Sequence, residues 1–200
     1  MLRSLLLLVS MIVLAGWAGS HAARAGAEED DMPYGSYAAM REALFAAADL
    51  ADEAASAAAL DEVFTTLEEA GRIPFAAGDS VAFLYRGPAE SVSFPGDFNG
   101  WNPAAVGALR VGFSDAWIQE DFFPEDARLD YKVVADGVWG LDPLNPRIQR
   151  SGFGDNSELR MPGYVGSEWV DRREGVPGGI LVEDALPSRR LGYTVALQIY

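Results

Sequence analysis

The sequence contains no cysteine, one histidine and one lysine, and each shortage removes a class of chemistry. Without cysteine there is neither a disulfide nor a thiolate nucleophile. The sole imidazole, His21, lies in an N-terminal segment that reads as a removable signal. Zinc centres built from Cys and His, and triads in which imidazole is the base, are therefore excluded from the mature chain. No Gly-x-Ser-x-Gly elbow occurs, nor any phosphate-cradling Gly-x-x-x-x-Gly-Lys loop. A complete hydrolase centre is not expected in these 200 residues, no catalytic or metal-ligating residue is nominated, and no cofactor is implied.

Positive charge is also scarce, with 15 Lys and Arg against 30 Asp and Glu. The chain opens with Arg3, an apolar run from Leu5 to Ala18, and small residues spaced as Ala23-Arg24-Ala25. That run is shorter than the ~20 residues a membrane helix needs. Residues 1–25 therefore read as a cleaved export signal, the competing reading being an uncleaved anchor. No Cys marks a lipoprotein and no paired arginine marks the twin-arginine route. Export to the periplasm or the medium is the expectation. Cleavage removes Arg3 and Arg24, leaving 13 basic against 30 acidic side chains, a net charge of −17. Such a surface repels phosphate backbones and anionic bilayers, so neither nucleic acid nor, after cleavage, a membrane is an expected partner. It also keeps an exported protein soluble.

Residues 26–79 read as an acidic spacer, Glu28 to Asp31, and a helical lead-in. Leu60, Val63, Phe64 and Leu67 recur at i, i+3, i+4 and i+7, and Gly71 stands where a helix C-cap belongs. Two short helices are predicted within Ser36 to Ala70, packing against one face or end of the next domain. From 80 to 162 the pattern changes to short β-type runs: Val81 to Tyr85, Ser91 to Phe94, Leu109 to Phe113, Trp117 to Phe123, Leu129 to Ala135 and Glu158 to Met161. Gly, Pro, Asp and Asn separate them, which predicts a mainly β antiparallel sandwich with an N-terminal helical extension. Residues 163–190 have linker composition with one aromatic, Trp169. Residues 191–200 form a strand, read either as the first of a further, truncated domain or as one that closes an edge of the sandwich.

Asp136-Gly137 between β-type runs signals a two-residue hairpin loop, because the favoured turn needs positive φ at both positions. Val134 then opposes Trp139, and Lys132 lies diagonally from Trp139 on the same face, within ~7–8 Å. Trp117 alternates with Gln119 inside a strand and reads as core. Trp101 follows Asn99-Gly100 in a loop, where a large apolar ring requires a reason. Sugar rings have an apolar C–H face that lies on indole, while their hydroxyls need donors and acceptors. The open alternative is that Trp101 and Trp139 cap the sandwich or face another domain. Acids near Asp97 and Asp155 lack calcium-loop spacing and read as solvated loop acids.

The stretches VSFPGDFNGW, DYKVVADGVWGLDPLNP and GFGDNSEL together resemble the family-48 carbohydrate-binding modules. That resemblance spans roughly 80–162 and implies an early-set immunoglobulin-like sandwich that binds α-1,4-glucans. By position, Trp101 matches the family's first stacking tryptophan, Lys132 its sugar-contacting lysine and Trp139 its second stacking tryptophan. Asn156 falls near an asparagine that bonds hydroxyls, although the family often has Asn-Asn where this chain has Asp155-Asn156-Ser157. The flanks LEEAGRIPFAAGDSVAFLYRG and PSRRLGYTVALQIY resemble the N-terminal part of enterochelin-esterase-like proteins. There a similar sandwich precedes an α/β-hydrolase domain whose triad lies downstream, and residues 191–200 would be that domain's first strand. The implied function is an exported, non-catalytic glucan-binding module with a C-terminal hydrolase domain as partner. The alternative is a structural or substrate-positioning accessory domain with no glucan of its own.

Overall fold

The computed structural model describes residues 33–167, 169 and 174–199, so the expected signal peptide and acidic spacer lie outside the described residues. The chain divides into two compact units, one ending at Tyr164 and the other beginning at Val165.

In the first unit the alanine-rich segment forms two helices, α1 (Tyr37–Ala48) and α2 (Glu53–Glu69). Ser36 accepts a hydrogen bond from the Ala39 N–H at 3.1 Å, and Asp52 does the same for Ala55 at 2.7 Å. Each cap satisfies an orphan donor, worth typically ~1 kcal/mol. Gly71, with φ 62°, ends α2 as expected, since that conformation suits a residue without Cβ.

Ten strands follow: β1 (Phe75–Ala77), β2 (Ser80–Arg86), β3 (Val92–Ser93), β4 (Leu109–Arg110), β5 (Ala116–Phe122), β6 (Arg128–Tyr131), β7 (Val133–Ala135), β8 (Val138–Gly140), β9 (Ile148–Gln149) and β10 (Asn156–Arg160). The first sheet has the antiparallel order β1-β2-β5-β4. The second layer consists of two three-stranded sheets, β3-β7-β8 and β6-β10-β9, in which β6 and β7 form one line broken only at Lys132. β3 flanks that line on one side, and β8 and β10 on the other, with β9 beyond β10. Lys132 N–H still donates to Pro95 O at 2.9 Å, and Gly96 bridges Tyr131, so the pairing with the β3 side continues past the break.

Two apolar clusters explain the layering. Val81, Phe83 and Trp117 from the first sheet meet Val92, Phe94, Tyr131, Val133, Leu159 and Met161 from the second layer. The opposite face of the first sheet, with Ala82, Leu84, Ala116 and Ile118, packs on Met40, Leu44, Leu60, Phe64 and Leu67 of the helices. The unit is therefore three layers: helices, sheet, sheet. The mainly β sandwich with a helical N-terminal part agrees with the sequence pattern, as does core burial of Trp117, which is 5% exposed. Arg86 fastens the helical layer, pairing with Asp61 at 2.6 Å and Asp115 at 3.1 Å.

Three expectations need amendment. β1 lies inside the stretch read as helical lead-in, so the first sheet begins before residue 80. The run expected from Leu109 to Phe113 stops at Arg110, because the chain turns at Gly112 with φ 59°. In the second unit, Val182–Ser188 forms β11 within the segment read as linker. It pairs antiparallel with β12 (Tyr193–Ile199), so the strand expected at 191–200 has β11 as its partner in a two-stranded sheet of their own.

Candidate functional site

The loop GDFNGW is built so that its tryptophan is displayed. A Cβ at Gly96 would sit 2.6 Å from Asp130 O and 2.9 Å from the Tyr131 Cβ, so only glycine allows this strand crossing. Asp97–Asn99 then make one 3-10 turn, in which Asn99 Oδ1 accepts from Gly96 N–H at 2.9 Å and its Nδ2 donates to Phe94 O at 3.0 Å. Phe98 turns inward, its ring centroid 5.2 Å from those of Phe83 and Phe123. Gly100 and Trp101 are both left-handed, at φ 64° and 59°. For a tryptophan that conformation costs roughly 1–2 kcal/mol. Two hydrogen bonds hold it: Trp101 N–H to Gly96 O at 2.9 Å, and Trp101 Nε1–H to Asp97 Oδ1 at 3.1 Å. The second Asp97 oxygen accepts from Asp130 N–H at 2.9 Å. Asp97, expected to be a merely solvated acid, is thus a strut between the loop and β6.

The Asp-Gly hairpin forms as the sequence predicts. Asp136 and Gly137 have φ 50° and 81°, and the register pairs Ala135 with Val138 and Val134 with Trp139. Asp136 Oδ1 also accepts from the backbone N–H groups of Glu90 and Ser91 at 2.9 and 2.8 Å. Those Ser91 and Glu90 donors hold the Asp136 carboxyl below the usual range.

Strand parity decides which side chains share a face. Tyr131 and Val133 point into the core, so Asp130, Lys132 and Val134 lie on the opposite, outer face. Ser93 and Trp139 flank Val134 there, by direct pairing. Extending the Tyr131–Ser157 register by one residue sets Asn156 beside Lys132. Its Nδ2 donates to Asp130 Oδ2 at 3.2 Å, and Asp130 pairs with Arg128 at 2.9 Å. Trp101 joins through Asp97, which holds both its indole and the Asp130 backbone. Beyond Trp101 the loop folds back along β3, where Ala108 N–H donates to Val92 O at 2.8 Å and Gly107 bridges Ser93. Pro103 and Ala104 thereby form one wall of a groove of about 360 Å³, with Ser93 and Val134 in its lining and Trp139 beside them. All four residues nominated from the sequence thus belong to this region. Trp139 lines the groove, Trp101 begins the loop that walls it, and Lys132 and Asn156 neighbour each other on the adjoining strands. Trp139 is 47% exposed, while Trp101, Lys132 and Asn156 are half-buried.

Sequence reasoning missed the polar network that holds the chain after Trp139. Tyr131 OH donates to Asp142 Oδ2 at 2.6 Å, while Asn145 Nδ2 donates to Tyr131 OH and to Glu158 O, both at 3.0 Å. Asp142 N–H donates to Ser157 Oγ at 2.8 Å. Burial raises the Asp142 carboxyl above its ordinary value and, with the Asp142 charge added, raises the Tyr131 phenol as well. Asp142-Pro143 and Asn145-Pro146 are turn signals in the sequence, but nothing there announces that both polar side chains are buried. On the same outer face, two residues along β10 from Asn156, Glu158 is covered by Arg128, at 2.7 Å, and Arg160.

The arrangement offers ring faces, one ammonium group, amides and hydroxyls. Among the described residues no cluster of His, Asp or Glu could hold a metal ion. No family model and no curated protein matches the chain. Among solved structures, it is similar to the enterobactin esterase Fes of Shigella flexneri crystallised in the presence of enterobactin. That match has 17% identity, covers 60% of this chain and 39% of that one, and has a TM-score of 0.45. It is also similar to the ferric enterobactin esterase of Salmonella typhimurium, with 19% identity, 58% and 40% coverage and a TM-score of 0.48. The chain therefore spans about two fifths of the length of these esterases.

Proposed function

We propose that the outer face around Trp139 binds carbohydrate of the α-glucan type. Glucose rings stack on Trp101 and Trp139, and Lys132 and Asn156 bond their hydroxyls. The observation that carries this reading is the register that gives Trp139, Lys132 and Asn156 a common open face, with Trp101 held beside it by Asp97. Stacking removes apolar area from water at about 25 cal/mol per Å². The hydroxyls lose water and need replacement partners. Asn156 has one amide N–H engaged by Asp130, so its carbonyl oxygen and second N–H serve the sugar.

We further propose that this face belongs to the N-terminal part of an exported esterase whose catalytic residues lie in a separate hydrolase domain. The likeness of the flanking sequences to enterochelin-esterase-like proteins supports this. Calorimetric titration with glycogen or maltoheptaose tests the binding reading. Micromolar-to-millimolar binding that Trp101→Ala and Trp139→Ala each abolish is the expected result. No binding by a folded wild type favours an accessory domain without a ligand, and binding unchanged in both variants refutes the assigned face.

A further inference from the structure

We infer that Asp97 is the positioning residue of this face, fixing the Trp101 ring so that it acts by stacking alone while Trp139 keeps its indole N–H for a ligand oxygen. The inference rests on the carbohydrate reading for its functional meaning, and on geometry for the rest.

Trp101 ends a tight turn with its backbone fixed, yet an indole on a loop retains two free side-chain torsions. Asp97 removes that freedom. One carboxylate oxygen takes the indole N–H at 3.1 Å and the other takes Asp130 N–H at 2.9 Å, so the ring is referenced to the strand that carries Lys132 two residues later. The requirement is for two acceptor atoms on one short side chain. An ionised aspartate is acceptor-only and supplies both. Asparagine would aim its NH₂ at one of the two donors, and serine has a single oxygen.

The two tryptophans then differ in chemistry. The only polar atom of Trp101 is used internally, which leaves a ring that recognises the C–H face of a sugar. Trp139 lines the groove beside Ser91 and Ser93, and among the described residues its Nε1–H has no protein partner. That end of the face can both stack and donate.

Holding a side chain in its bound conformation saves roughly 0.5–1.5 kcal/mol on association, a two- to tenfold effect on affinity. The test uses the ¹⁵N-labelled chain. Without ligand, Asp97→Ala is expected to shift the Trp101 indole N–H resonance and speed its exchange, leaving that of Trp139 in place. With maltoheptaose, Asp97→Ala should weaken binding two- to tenfold in wild type and have no further effect in Trp101→Phe, which has no indole N–H. Saturating ligand should move the Trp139 indole resonance, which gains a hydrogen bond, further than that of Trp101, which gains only a stacked ring. An unmoved Trp101 resonance in Asp97→Ala, or an equal loss in the Trp101→Phe background, overturns the inference. If wild type binds no glycan but the Trp101 resonance moves, the positioning by Asp97 stands and the carbohydrate reading falls.

Discussion

Tyr131→Phe removes a single oxygen from the network that secures the chain after Trp139, and its effect can be worked out from the partners. Asp142 is 3% exposed and loses its 2.6 Å hydrogen bond, while Asn145 keeps its bond to Glu158 O. Leaving a buried acceptor without its donor costs about 1–3 kcal/mol, more when it is charged. At about 2–4 °C per kcal/mol for a chain of this size, a loss of about 2 kcal/mol lowers Tm by about 4–8 °C. The pH dependence is more diagnostic. Burial raises the Asp142 pKa and the Tyr131 hydroxyl pulls it back down. A carboxyl whose folded pKa is raised contributes stability that is complete below its unfolded value and is lost as pH rises through the folded value. Removing the hydroxyl raises the folded value further, so the gap between Tyr131→Phe and wild type should widen from acid to neutral pH. Adding Asp142→Asn should narrow it again. Urea unfolding across that range measures the gap. An unchanged midpoint, or a deficit that is the same at every pH, refutes the reasoning.

Gly96→Ala should unfold at lower denaturant by about 1–3 kcal/mol, because its Cβ meets backbone rather than a movable side-chain tip. Gly100→Ala, with open space around it but φ 64°, should cost only the left-handed penalty of roughly 1–2 kcal/mol, leaving the loop in place as judged by Trp101 fluorescence. Glu158 is pushed up by burial but pulled down further by Arg128 and Arg160, so its folded pKa is lowered. Its contribution is present above the ordinary carboxylate pKa and lost as pH falls through the lowered value. Glu158→Gln should therefore flatten the acid limb of the stability curve and cost about 1–3 kcal/mol at neutral pH, because Arg160 loses its carboxylate while Arg128 keeps Asp130 at 2.9 Å. A variant with the wild-type acid limb would contradict this.

What could be read from the sequence was local. The Leu60, Val63, Phe64 and Leu67 stripe needs only the helical period, and the Asp136-Gly137 register needs only the φ demanded of a two-residue turn. That register carried Trp139 and Lys132 to one face without any tertiary knowledge. β1 escaped because Phe75-Ala76-Ala77 is too short and too alanine-rich to show alternation. β11 escaped because Glu183, Asp184 and Pro187 give it the composition of a linker, whereas its pairing is decided by the strand across from it. The parts of the site that stayed hidden are those that need a distant neighbour. Asp97 becomes a strut only because residue 130 arrives beside it, and Asp142 becomes a core acceptor only because the Tyr131 hydroxyl points at it.

The helical layer sets where this protein can be cut. Ala82, Leu84, Ala116 and Ile118 are covered by Met40, Leu44, Leu60, Phe64 and Leu67. A fragment started at Ser80, where the β-rich composition begins, would lose β1 and bare a greasy slab, and it should precipitate. Excision from the Ser36 cap through Tyr164 keeps the slab roofed and yields a shorter recombinant piece on which glycan titrations can be run.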